Sequence, residues 1–182
     1  MEIPLNMQSA SEVLVSDKTK QDYITVRRYT ESLCKSLHKE DYIPQPVAFV
    51  SPPKWHLAHT TWFFEAFVLE PMSPNYKVFH PQYSYLFNSY YVEAGERMMR
   101  ADRGNITRPG VEEVYAYRQH VDEAMQILIQ QHPTNQELYD LISLGINHEQ
   151  QHQELLITDL KYILGHNPIF PVYRSDYLSL IH

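Results

Sequence analysis

From residue 138 to residue 162 the chain repeats a step of three or four: Leu138, Leu141, Gly145, His148, His152, Leu155, Asp159 and Tyr162. Only an α-helix, with its 3.6-residue period, puts those positions on one face, so a long helix is imposed here whatever the rest of the chain does. Thr134-Asn135-Gln136-Glu137 reads as its capping box, the threonine oxygen taking a backbone N–H while Glu137 reaches back. Gly165, ahead of Pro168, marks its end.

Five glycines and twelve prolines in 182 residues leave few flexible joints, and the prolines cluster between stretches of helical period. Residues 17–39 form one such stretch, with Tyr23, Val26, Thr30, Leu33 and Leu37 in phase and Asp17 or Thr19 as cap. Ser51-Pro52-Pro53 opens a second, serine capping and proline giving up an N–H that had no partner. Trp55, His59, Trp62, Ala66 and Leu69 follow in phase, and an end is expected near Glu70, before Pro71. Residues 110–131 form a third, through Val114, Tyr117, Val121, Ala124 and Leu128. Four long amphipathic helices with no convincing strand pattern predict an all-α four-helix bundle. A long crossover over residues 71–109 joins its second and third helices, with short helices expected near 83–94 and 96–103. The bundle is expected over residues 17–172, flanked by tails at 1–16 and 173–182.

Lys+Arg of 15 against Asp+Glu of 22 gives a net charge of −7, which argues against binding a nucleic acid or an anionic membrane. No apolar run approaches the ~20 residues of a membrane span. The start has no basic lead and apolar run of a signal peptide. A single cysteine, Cys34, rules out an intrachain disulfide. A cytoplasmic protein is the expectation.

The ten histidines carry the chemistry. His148 and His152, four apart, stack on the face otherwise filled by Leu138, Leu141 and Leu155, which is expected to point inward. Burying two unpaired imidazoles costs about 1–3 kcal/mol each, so something must satisfy them. His59, between Trp55 and Trp62, is expected to face them from the second helix; two helices then bring three imidazoles to one point, where a metal ion can be gripped. His56 is close enough in phase to share the face of His59, and spacing alone does not choose between them. The alternative is a bundle whose histidines satisfy one another, a non-enzymatic helical interaction module. His148-Glu149-Gln150-Gln151-His152 also matches the zinc-protease pattern, but the ligand that should follow it is absent, and Glu149 reads as a solvated or outer residue. Arg100 and Arg103, three apart, could clamp a carboxylate; taken alone they read as a solvated pair.

Four segments occur in order: Trp55-His56-Leu57-Ala58-His59-Thr60-Thr61-Trp62-Phe63-Phe64-Glu65, Phe87-Asn88-Ser89-Tyr90-Tyr91, Arg100-Ala101-Asp102-Arg103-Gly104 and His148-Glu149-Gln150-Gln151-His152-Gln153-Glu154-Leu155-Leu156. Together they resemble the N-terminal, DinB-like half of the ergothioneine-biosynthesis sulfoxide synthase, the hercynine oxygenase family. The resemblance implies a DinB-like bundle with a non-haem iron(II) site at His59, His148 and His152, where zinc or nickel is an option for the protein as isolated. It implies an O2-dependent union of a cysteine-type thiol (cysteine or γ-glutamylcysteine) with trimethylhistidine. It places Gln151 against the trimethylhistidine and Arg100 and Arg103 against the carboxylates of the thiol. Members of the family carry a second, C-terminal domain that covers the iron and supplies an active-site tyrosine, so no residue of this chain is assigned as catalytic. A homodimer, or association with such a domain, is expected to cover the metal face. A stand-alone DinB-like divalent-metal protein, or a metal-dependent thiol transferase, is the other enzymatic alternative.

Overall fold

A computed structural model describes residues 5–89 and 97–174, with side chains from residue 17 onward. Helix α1 spans Leu5–Cys34 and α2 spans Pro53–Phe64. A π turn, Glu65–Leu69, carries α2 on into the single turn α3, Glu70–Met72. The short α4 is Tyr83–Phe87, α5 is Val111–Gln131 and α6 is Gln136–Gly165. Among the described residues there is no strand. α1 packs closely on α6 and also meets α5, while α2 packs on both α5 and α6. The result is the expected all-α four-helix bundle, with α1 and α2 on its diagonal. No helix of the described residues is long and apolar enough to cross a membrane.

The boundaries differ from the expected ones where local chemistry decides. α1 begins at Leu5, ahead of the helix start expected at residue 17; no proline or glycine interrupts residues 5–43. It stops at Cys34, short of the expected residue 39, where Leu37 N–H (3.0 Å) and the Tyr42 hydroxyl (3.0 Å) take the Cys34 carbonyl. The α2–α3 run passes through Pro71: the π turn has already widened the register, Glu70 N–H pairing with Glu65 O, and Ser73 N–H closes on Leu69 O. The α6 cap is Asn135, not Thr134; Asn135 Oδ1 accepts from Leu138 N–H at 3.0 Å. Ser51 does not cap α2, whose cap residue is Pro52. α4 covers only part of the expected 83–94 helix, and a 3-10 turn at Arg100–Asn105 stands where 96–103 was expected. Residues 90–96, with Tyr90 and Tyr91, lie outside the described residues, as do 1–4 and 175–182 of the expected tails.

All twelve residues of α2 are buried, so it is the central rod rather than a one-faced helix. Behind it lies a polar core. Glu149 on α6 is fully buried and accepts from Arg27 Nη1 on α1 and Arg118 Nη2 on α5, each at 3.0 Å, and from Thr30 Oγ1 at 2.7 Å. Arg27 also bonds Asp122 (2.6 Å) and Thr61 (2.9 Å), while Arg118 bonds Leu57 O (3.0 Å) and Thr60 (3.1 Å). The two guanidinium groups, against the cost of burial, hold the Glu149 carboxyl down at about 2. The crossover is tied down by Glu65, which accepts from Tyr76 OH (2.6 Å), Phe79 N–H (3.0 Å) and Tyr117 OH. At its far end, Lys54 Nζ donates to Ile106 O (2.7 Å) and Pro109 O (2.8 Å).

Gly145 sets the α2–α6 separation: a Cβ there would lie 2.4 Å from Cε1 of Phe64 and 3.1 Å from Cε1 of Phe63. Gly145→Ala is expected to lower stability in urea unfolding by about 1–3 kcal/mol, because buried rings must move. Glu149→Leu, which strands two buried guanidinium groups, is expected to cost about 3–5 kcal/mol in the same measurement.

Candidate metal centre

One nitrogen of each of His59, His148 and His152 lies within 4.8 Å of the other two. The ring centroids are 4.6 Å (His59–His152), 4.6 Å (His148–His152) and 5.0 Å (His59–His148) apart. The i, i+4 spacing on α6 aligns one pair, and the Gly145 approach brings α2 near enough to add the third. His59 is buried between Trp55 and Trp62, stacked on the first at a centroid distance of 4.4 Å and on the second at 5.7 Å. α4 holds this face in place. Its last carbonyls lack helical partners, and Leu86 O accepts from Trp55 Nε1 (3.2 Å) while Phe87 O accepts from His59 Nδ1 (2.6 Å). A carbonyl can only accept, so Nδ1 of His59 carries the proton and Nε2 keeps its lone pair.

His56 is not one of the three converging rings. Its Nε2 lies 2.9 Å from Asp159 Oδ2 and its Nδ1 lies 3.0 Å from His152 Nδ1. It stands behind the cluster, in contact with one of the three rings. Phe63 stacks on His148 at 4.6 Å, and His148 Nδ1 is buried with no hydrogen-bond partner among the described residues.

Burial pushes all four imidazoles below their ordinary value of 6.5. His148 falls to about 4; the His148 ring beside His59, and the other three rings around His152, add to the effect of burial there. The rings are therefore neutral at neutral pH, with lone pairs available. Three neutral nitrogen donors within 4.8 Å of one another and a proton fixed on Nδ1 of His59, leaving its Nε2 bare, together fit a divalent transition-metal ion.

The centre opens into a pocket of about 460 Å³ whose lining includes Arg100, Arg103 and Gln151. Arg103 is buried rather than solvated. Its Nη1 donates to Ser51 Oγ (2.8 Å), its Nη2 to Ser89 Oγ (3.2 Å), and its guanidinium lies 3.3 Å from the Trp55 ring centroid. Arg100 and Gln151 are exposed, and Arg100 Nη2 bonds Phe49 O. Leu155, expected in the core, is 42% exposed and lines the same pocket. Glu149 points away from the rings into the two arginines, so it is neither solvated nor able to act as the general base of a zinc protease. Spacing along the chain does not reveal His56 and Asp159 as a pair; the available signal is that Asp159 shares the face of His148 and His152.

The geometry defines a helical bundle with three histidine side chains converging from two of its helices. The chain belongs to the DinB superfamily, whose family profile matches residues 22–156, a span containing all three histidines. A search of the curated proteins gives no match.

Buried neutral histidines make the folded protein bind fewer protons than the unfolded chain once pH drops below 6.5. Stability is unaffected above that value and falls from there toward about 4, by up to about 1.4 kcal/mol per pH unit per group. The urea midpoint of the metal-free protein is expected to fall steadily on acidification from about pH 6.5 to about pH 5. A flat midpoint would mean that the rings are solvated.

Proposed function

We propose that the chain is the metal-binding helical domain of an oxygen-dependent sulfoxide synthase of the hercynine oxygenase type, joining the sulfur of a cysteine-type thiol to the imidazole of trimethylhistidine. The observation that carries this is the meeting of His59, His148 and His152 nitrogens within 4.8 Å, in a pocket that Arg100, Arg103 and Gln151 share. Ferrous iron, when bound by the three rings, supplies the redox chemistry that O2 requires.

The chain's own residues do the holding. The three neutral imidazoles bring no charge, so the positive charge of a divalent ion stays available to an anionic thiolate. Arg103, pinned by Ser51 and Ser89 and lying on Trp55, is a preorganised cation for a substrate carboxylate. Arg100, three residues away on the same 3-10 turn and exposed, serves a second carboxylate. Gln151, exposed one residue before His152, offers its amide to trimethylhistidine. Bringing three reactants to one place is the greater part of the catalytic task. Superfamily membership by itself also supports a broader divalent-metal protein, including a metal-dependent thiol transferase; the two arginines favour the thiol–trimethylhistidine reaction.

Protein purified without a histidine tag is expected to contain or take up one divalent metal ion per chain, and His152→Ala to weaken that binding by on the order of 100-fold or more. The spectrum of the ferrous protein with nitric oxide is expected to shift when trimethylhistidine is added. Absence of metal binding would sink the proposal entirely. An unchanged spectrum would leave only the broader metal protein.

A further inference from the structure

Each ring of the cluster has two nitrogens, and only an unprotonated one can serve a metal ion. A free imidazole in water carries its proton mainly on Nε2, so a histidine left to itself would turn the wrong tautomer toward the cluster. For His59 the Phe87 carbonyl settles the matter at 2.6 Å. For His152 no carbonyl is in place among the described residues; its Nδ1 faces Nδ1 of His56 at 3.0 Å. Two like nitrogens bond only if one carries the proton and the other does not.

The far side of His56 decides which. Its Nε2 sits 2.9 Å from Asp159 Oδ2, and a carboxylate can only accept. The proton of His56 is therefore on Nε2, and its Nδ1 is a lone pair. That lone pair accepts from His152, whose proton is then on Nδ1 and whose Nε2 is bare. Asp159 is itself anchored, since Ser51 N–H donates to the same Oδ2 at 2.9 Å. His56 and Asp159 are 2% and 8% exposed, so these bonds are largely shielded from water.

We propose that His56 and Asp159 are positioning residues of the metal centre: they hold the proton of His152 on Nδ1 and keep its Nε2 unprotonated for the point it shares with His59 and His148. The proposal deepens the metal reading above and rests on it for its purpose, but the tautomer it assigns is a property of the metal-free protein. Carboxylate–histidine relays behind metal-bound histidines generally fix ring orientation and raise ligand basicity. In this chain the relay has an extra imidazole, and its spacing is legible as His56 three residues before His59 on α2 and Asp159 seven residues after His152 on α6.

The test uses the full chain. In long-range proton–nitrogen NMR spectra of the metal-free protein labelled with 15N-histidine, His152 is expected as the Nδ1–H tautomer. His56→Leu is expected to shift it toward Nε2–H and to weaken cobalt(II) binding by about 10–100-fold. His56→Gln, whose amide offers a donor and an acceptor on neighbouring atoms, is expected to restore both to near the parent values. A parent protein with His152 as Nε2–H overturns the proposal without any variant. So does a His56→Leu protein that binds cobalt(II) as the parent does. A parent that shows the Nδ1–H tautomer yet binds no metal would leave the relay intact and remove the metal reading instead.

Discussion

Glu149, with a guanidinium on either side, is the interaction on which the rest of the bundle depends. Its partners come from α1 and α5, and those arginines go on to bond α2 through Thr61, Thr60 and the Leu57 carbonyl. Four helices are thus referenced to one carboxylate. Two buried cations and one buried anion are costly to remove from water, and the arrangement holds because nearly every lone pair and N–H has a partner. Such a network ties all four helices to one set of partners. Sliding α6 by one residue against its neighbours would break all of the Glu149 bonds at once. The same α6 carries His148 beside Glu149, so the network that fixes register also fixes where the rings stand.

The two sides of α2 divide the work. One side, through Thr60, Thr61 and Leu57, meets the ionic core; the other, through Trp55, His59 and Trp62, meets the histidines of α6 and the short α4. Close approach is possible because Gly145 leaves room for Phe64 and Phe63. The crossover is more than a connection. Glu65 and Lys54 pin its two ends, and the α4 carbonyls between them orient Trp55 and His59.

Much of this was legible in the sequence. The step of three and four through His148, His152 and Asp159, and the Trp55–His59–Trp62 series, carried both the architecture and the ring cluster. What was not legible depended on partners distant in sequence. Arg27 is in phase with Tyr23 and Thr30, and Arg118 with Val114 and Val121, yet a single in-phase charge looks like an error in periodicity until an opposite charge on a third helix explains it. The HExxH match drew attention to Glu149 for the wrong chemistry, because spacing does not say which way a residue roughly 100° around the helix will face. His56 was undecided for a related reason: choosing between it and His59 required the carbonyl of Phe87 and the carboxylate of Asp159. The Asn135 cap and the passage through Pro71 turned on single hydrogen bonds that no periodicity encodes.

Ser51 joins two parts of the pocket. Its hydroxyl takes Arg103 at 2.8 Å while its own N–H holds Asp159 at 2.9 Å. One small residue at the mouth of α2 therefore sits between the Arg103 guanidinium and the chain of groups that ends on a ring of the cluster. The residue that accepts from Arg103 through its hydroxyl also anchors Asp159 through its backbone amide. The Arg103 edge of the pocket and the His152 ring at the other are thereby joined by one unbroken run of hydrogen bonds, through Ser51, Asp159 and His56.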